Sequence, residues 1–409
     1  MRKVMTPNKI SIKKHLSDVT LLAISFFPLF NSFEIYALIS GTLVSQVLNE
    51  TPIQIKVIKD IFMIYIVSIS FFLILRENRI KSRLLFFWII NLFLTILVAL
   101  LFLDDVAIYV AGVRWLVPLI LPFFIISYVD EMLIRKISGL TEKLFIINLL
   151  VQVYQLFFAS QWFGAGIFGL SLRNPGLFLI PSTSAFFVMI VFFFKIFYSS
   201  SQKLLNRYIF IFFLIPLSLF LTASATGLVA YFFSLIIVSS KRIKAKLLVV
   251  FSIIVLPVIY MIMVQALPLL TSRAEVVEVS LMTRIDILLE NISDIPLLSS
   301  KLGYATNTGV LLANVFNHTD RALIADSTVT SIIYNMGLVS SMIMLVVFLT
   351  FILYIVINNK KEELTFLTIV SIFSLTVIIT EAFPMNLIIS CYVAFFIDRN
   401  FRNSLKSQP

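Results

Sequence analysis

The sequence predicts an all-α polytopic membrane protein, a bundle of about twelve transmembrane helices carrying one large extracytoplasmic loop, and three observations predict it. Of the 409 residues, 60% are hydrophobic and only 13% charged, and a mean hydropathy of +1.04 exceeds what the core of a soluble protein requires. Crossing a hydrocarbon layer takes roughly 20 apolar residues. Such runs recur along the whole chain and leave no place for a separate soluble domain, so residues 1–409 read as a single integral membrane domain. One interval, 268–326, is too polar to cross and too long to be a plain connector.

The apolar runs fall at 19–48, 61–75, 84–102, 116–129, 144–162, 182–198, 209–223, 226–240, 247–267, 327–357, 364–382 and 384–397. The first follows a basic lead with no small-residue cleavage site behind it, and reads as an uncleaved span bent near Pro28. Only the tight turns "TASATG" and "EAFPMN" separate the members of two pairs. Basic residues assign the sides, because Lys and Arg stay with the cytoplasmic flanks. With the N-terminus inside, the segments 1–18, 76–83, 130–143, 199–208, 241–246, 358–363 and 398–409 hold 23 of the 32 Lys and Arg residues, and the opposite loops hold 8. Both termini are therefore expected in the cytoplasm. The net charge of +11 follows from this topology and from attraction to anionic lipid, not from nucleic acid, for which no motif is present.

Several chemistries are excluded early. The single cysteine, Cys391, rules out an intrachain disulfide and a cysteine metal cluster. No P-loop, GxGxxG, HExxH or CxxC occurs, which removes P-loop hydrolysis of ATP and structural zinc of recognisable spacing. Three Asn-x-Ser/Thr triplets have meaning only for a protein made in an endoplasmic reticulum.

The large loop faces outside in this topology. Its stretch "VVEVSLMTRIDILLENI" carries apolar residues at helical spacing, as an amphipathic helix lying on the outer membrane surface or over a cavity does. On the outer side cations are scarce: Arg114, Arg173, Arg273, Arg284, Lys301 and Arg321 are most of them. Each by itself is accounted for by snorkelling to the interface or by pairing with Asp104 or Asp105. As a group they suit a diphosphate, because a guanidinium offers a planar fork of donors to phosphate oxygens. Arg173 is followed by Asn-Pro-Gly and a second proline, which break helical geometry and would fix the chain so that this arginine turns inward; the other reading is a snorkelling arginine above a short re-entrant loop. Asp326 opens the span "DSTVTSIIYNMGLVSSMIML" as either a helix N-cap or a reactive carboxylate. Glu34 and Glu381 are expected to point into the bundle. Asp104-Asp105 reads as solvated surface, and it also resembles the acidic pair that metal-using, lipid-dependent glycosyltransferases carry in an early outer loop. His15 lies in the cytoplasmic lead, whereas His318, in "VFNHTDRAL", is either a solvated side chain or a general base, histidine being the residue type that exchanges a proton near neutrality.

In their order, these pieces resemble the O-antigen polymerase (Wzy-type) family of bacterial polysaccharide polymerases and, more loosely, the O-antigen ligases. The matching segments are "GVRWLVPLILPFF", "LRNPGLFLIPSTSAFF", "LTASATGLVAYFF", "LMTRIDIL" and "ADSTVTSIIYNMGLVSSMIML", which together cover most of residues 100–350. One departure is plain: Ile180-Pro181 stands where many relatives carry an acid before the proline. The resemblance implies a glycosyltransferase C-like bundle in the inner membrane and an enzyme using a polyprenyl-diphosphate-linked oligosaccharide. It would move the growing glycan from undecaprenyl diphosphate to a lipid-linked repeat unit at the outer face. It further implies Arg173 and Arg284 gripping the diphosphate, Arg114 assisting, and Asp326 or His318 as base or acceptor anchor, with no metal and no cofactor. The implied partners are the lipid-linked oligosaccharide, membrane lipid, a chain-length regulator and a flippase. Two other functions fit the same features: a ligase with a lipid A core acceptor, and a flippase for lipid-linked oligosaccharide, against which the lack of an internal repeat counts.

Overall fold

A computed structural model describes residues 7–29, 53–77, 83–158, 174–178, 180–199, 204–239, 295–323, 327–358 and 360–406. Among them the protein is helical, with no strand, and four helices are long and apolar enough to cross a membrane: Val57–Ile74, Val106–Ile125, Glu131–Phe157 and Thr328–Ile355. The predicted span 247–267 and the amphipathic stretch of the large loop lie outside the described residues. The described residues gather into two compact units, one drawing on 1–85, 116–231 and 379–409, the other on 86–115 and 232–378.

In the first unit, α1 (Pro7–Ser25) and α2 (Ile53–Glu77) are followed by the second half of α4 (Val106–Ile125) and by α5 (Glu131–Phe158). Both α1 and α5 begin well ahead of the apolar runs that predicted them, because their polar leads are themselves helical; Asp130 receives the Leu133 N–H at 2.8 Å as an N-cap. His15 accordingly sits on a helix, 2.8 Å from the Tyr65 hydroxyl. At the centre of the unit is α6 (Pro181–Phe197), continuously buried from Ser184 to Lys195. A helix apolar on every face can only be covered on every face, and "AFFVMIVFFF" is such a sequence. Its start is set by Pro181 at the first turn after an extended Ile180.

Prolines shape the neighbouring helices in a way that can be followed bond by bond. In α4, Pro122 has no N–H to give the Pro118 carbonyl, and the Ser390 hydroxyl stands 3.3 Å from it, its single proton shared with the Asn386 carbonyl at 2.7 Å. Next comes α7, made of Leu204–Ile209, a π turn Phe210–Leu214 and Ile215–Thr222. Pro216 follows the widened turn, and the Ile211 carbonyl that its missing N–H leaves open accepts from the Tyr231 hydroxyl at 3.0 Å. The expected "TASATG" turn is present: Ala223 is left-handed (φ 48°, ψ 36°), and Ser224 caps α8 (Ala225–Ser239) by accepting the Gly227 N–H.

The second unit contains α3 (Arg83–Leu101) from Phe86 on, the first half of α4, the segment 295–323 with its short helix α9 (Asn307–Val315), α10 (Thr328–Ile357) and α11 (Lys361–Ser374). Helix α4 starts ten residues before the predicted span because Asp105 caps it, accepting the Ala107 and Ile108 N–H groups at 2.7 and 3.1 Å. Helix α10 is interrupted at Gly337 (φ 75°, ψ 166°). The N–H groups of Leu338 and Val339 leave the helical ladder and donate to the Pro296 and Leu297 carbonyls. Helix α11 stops at Ser374, about 21 Å of helix against the roughly 30 Å of a hydrocarbon core. Residues 375–384 form a broad turn before α12 (Met385–Lys406), where the sequence predicted a span to 382 and a narrow "EAFPMN" corner.

Candidate functional site

Of the five residues on which the predicted site rested, Arg173, Arg284 and Asp326 lie outside the described residues. Arg114 and His318 are described, and both belong to the second unit. Since α4 begins at Val106, Arg114 stands inside that helix instead of leading into it, half-buried, with its Nη1 donating to the Thr308 hydroxyl at 3.3 Å. His318 is placed by the end of α9. Asn317 adopts the left-handed conformation (φ 59°), and the His318 N–H reaches back to the Ala313 carbonyl at 2.8 Å, so the helix closes in a Schellman turn. The His318 ring meets Tyr304 edge-on at 6.4 Å.

What fastens the polar segment to the apolar helices is Asn335 of α10, which is fully buried. Its Oδ1 accepts the Gly303 and Ala305 N–H groups at 2.9 and 3.2 Å, and its Nδ2 donates to the Ala305 carbonyl and the Ser331 hydroxyl, each at 3.1 Å. Ser331 adds a bond of 2.6 Å to the same carbonyl. Gly303 (φ 101°) lies so close to α4 that a Cβ there would stand 2.1 Å from the Ile108 carbonyl oxygen. At the other end, Ser299 donates to the Thr95 carbonyl at 2.7 Å. The segment is a fixed part of the unit.

On this support stands a charged and aromatic rim. Arg321 pairs with Asp104. Lys301 Nζ donates to the Tyr334 hydroxyl at 2.9 Å and lies over that ring, and the Tyr334 hydroxyl donates to the Arg321 carbonyl at 3.1 Å. Asp104 holds the Arg321 guanidinium more firmly in its charged form. The Tyr304 hydroxyl is buried beside the Arg321 guanidinium, which offers it a hydrogen bond of poor geometry. Burial first, and then the Asp104 carboxylate, push its pKa above the usual phenol value, while Arg321 beside it acts in the opposite direction. Phe102, Asp104, Ser300, Lys301 and Arg321 line an open depression of about 380 Å³. Asp104 and Asp105 thus part ways: one is an ion-pair partner and the other a helix cap.

A second polar cluster, in the first unit, was missed at the level of sequence. Along α5, Asn148, Gln152 and Gln155 share one face and are buried. Gln155 grips both backbone groups of Gly176 (φ 67°), taking the N–H at 2.7 Å and giving to the carbonyl at 3.0 Å, and Asn148 Oδ1 takes the Leu177 N–H at 2.8 Å. Gln152 joins Ser184 and Ser218 at 3.3 and 2.6 Å. The Asn174 N–H donates to the Leu221 carbonyl, and its own amide nitrogen is buried without a partner. The "NPGLF" turn next to Arg173 is therefore locked in place, with Phe178 stacked on Phe27 at 4.6 Å. The readable signal was the spacing i, i+4, i+7 of three carboxamides within an apolar helix, which only an interior face tolerates.

Among the described residues no three His, Cys, Asp or Glu side chains come together as a metal site requires. No protein-family model matches the chain, and no curated protein matches it.

Proposed function

We propose that this protein is a multi-span glycosyltransferase that polymerises the repeat units of an O-antigen, capsule or exopolysaccharide at the outer face of the cytoplasmic membrane. The donor is a glycan on undecaprenyl diphosphate and the acceptor a lipid-linked repeat unit. The observation that carries this reading is the second unit's polar segment, built by Asn335 onto apolar helices, which carries Lys301, His318 and Arg321 and whose Thr308 receives Arg114 of α4. Lipid-borne substrates call for polar recognition at the end of a membrane bundle, and a fixed guanidinium such as that of Arg114 is a means of meeting a diphosphate whose charge grows as it leaves.

In this reading an acceptor hydroxyl attacks the anomeric carbon of the donor and the bond from that carbon to the diphosphate oxygen breaks. Asp326 or His318 takes the hydroxyl proton, and undecaprenyl diphosphate departs. Arg173 and Arg284 stabilise the leaving group, and Arg114, oriented by Thr308, assists. Twelve spans, with both termini in the cytoplasm, complete the proposal. Its test is the purified protein in liposomes supplied with lipid-linked repeat units. A ladder of polymer is expected, lost in Arg173→Ala and Arg284→Ala and only partly restored by lysine. No ladder from the wild-type protein, or an unchanged ladder in both variants, overturns it.

One observation favours a second reading, a transporter of lipid-linked oligosaccharide: the break of α10 at Gly337, since interrupted membrane helices often mark transport sites. Movement of a labelled lipid-linked oligosaccharide between leaflets without chain growth would select it.

A further inference from the structure

We propose that the depression bounded by Phe102, Asp104, Ser300, Lys301 and Arg321 is a sugar-binding subsite, the place where the acceptor glycan lies. The naming of the glycan as acceptor rests on the transferase reading above; the binding of sugar does not. At about 380 Å³ the depression falls within the range of small-molecule clefts, roughly 300–1,000 Å³.

Its chemistry favours a neutral polyol over an anion. Arg321 already faces the Asp104 carboxylate, and Lys301 is engaged with the hydroxyl and ring of Tyr334. A diphosphate entering here would meet Asp104 at close quarters, which like charges oppose. A sugar hydroxyl both donates and accepts. A carboxylate that only accepts, two cations that only donate and a serine that does both supply matching partners in each sense. Phe102, 49% exposed at the rim, offers an apolar ring to the C–H face of a pyranose.

The lining is also held still, as recognition of hydroxyl positions demands. The Phe102 N–H bonds the Ala99 carbonyl at the end of α3, the Ser300 N–H bonds Leu298, and the Arg321 N–H bonds His318. The Leu323 N–H crosses to the Tyr304 carbonyl, and Tyr334 holds the Arg321 carbonyl from α10. The polar groups of the rim stand on a backbone that Asn335 has already pinned.

The experiment uses the full chain in nanodiscs and two probes. One is oligosaccharide released by mild acid from the envelope polysaccharide of the cells that make the protein, and the other is inorganic pyrophosphate. Saturation-transfer NMR and titration should show oligosaccharide affinity falling about tenfold in Phe102→Ala and in Asp104→Asn, with pyrophosphate affinity unchanged. In turnover, the KM for the acceptor rises by a similar factor while kcat holds. The double variant Asp104→Arg/Arg321→Asp restores an ion pair and serves as the folding control: a wild-type melting temperature with lost oligosaccharide binding supports the subsite, and retained binding overturns it. Polymerisation with an unchanged acceptor KM in Phe102→Ala and Asp104→Asn also removes the subsite while leaving the transferase reading intact. Oligosaccharide binding sensitive to both substitutions, in a protein that makes no polymer, removes the transferase reading and leaves the subsite. If pyrophosphate and not oligosaccharide responds, the depression is an anion site and the inference is wrong.

Discussion

Two irregular segments of this protein are held by one device and finished differently. In the first unit, the turn 174–178 is gripped by Asn148 and Gln155; in the second, residues 303–305 are gripped by Asn335. Each time a carboxamide on an apolar helix serves a peptide at a glycine of positive φ, Gly176 or Gly303. Non-helical backbone within a membrane bundle persists only where its polar groups are satisfied by protein. The difference lies in what surrounds the grip. Around Gly176 the remaining partners are buried amides, hydroxyls and phenyl rings, and the polarity is closed on itself. Around Gly303 the grip supports Arg321 and Asp104, which stay 45% and 41% exposed. The first arrangement serves the fold, and the second leaves charge available to something else.

The comparison breaks first at the glycines. Gly303→Ala should destabilise by about 4 kcal/mol or more, because its Cβ would collide with the Ile108 backbone at a φ that alanine rarely adopts. Gly176→Ala should cost about half as much, since the first obstacle is the end of the Asn148 side chain. Unfolding in mixed micelles measures both, and the reverse order would show that the two grips are not built as described. Next come the carboxamides. Asn335→Ala leaves the Gly303 and Ala305 N–H groups unserved, while the Ala305 carbonyl keeps Ser331, and should cost about 3 kcal/mol, with residues 295–323 becoming sensitive to protease. Gln155→Ala frees the N–H and the carbonyl of Gly176 and should cost about 2 kcal/mol.

The exposed rim should behave in the opposite manner. Arg321→Gln is expected to change stability by no more than about 1 kcal/mol, an effect that fades in high salt, because a solvent-exposed pair contributes little. A larger loss would make the pair a structural element like Asn335. Smallest is Tyr304→Phe, expected to change stability by less than about 1 kcal/mol, since the buried hydroxyl has a poor contact with Arg321 to lose and a desolvation cost to shed. The same residue gives a pH signature. With its folded pKa above the unfolded phenol value, the folded state retains a proton that the unfolded state releases, so stability is full at neutral pH and falls as pH rises past about 10. Melting curves on the alkaline side should flatten in Tyr304→Phe; an unchanged slope assigns the loss to other groups.

The helical, membrane-type character of the chain was legible from apolar runs, and so were the Pro181 start and the "TASATG" corner. The starts of α1 and α5 were not, because hydropathy registers where a helix becomes apolar and not where it begins. Asp105 shows the same limit: two acids in a row read as solvated surface, and only the amides of Ala107 and Ile108 reveal a cap. Of the candidate site, the placement of Arg114 inside a helix and of His318 behind a Schellman turn needed coordinates, although Asn317 carried a hint of the latter. The carboxamides escaped notice because an uncharged polar residue barely lowers the hydropathy of a long run. Their spacing was the available clue for Asn148, Gln152 and Gln155. Asn335 stands without such a pattern, and its meaning lies in a partner more than thirty residues away.

The interruption at Gly337 joins two things that the chain order keeps apart. Because Leu338 and Val339 have given their amides to Pro296 and Leu297, the polar segment fills a missing rung in α10, and a glycine Cβ would strike Leu298 at 2.5 Å. A hinge there cannot flex alone: any tilt of the longer half of α10 must drag residues 296–298 with it, so a stroke of that rod and a displacement of the rim it supports are a single motion.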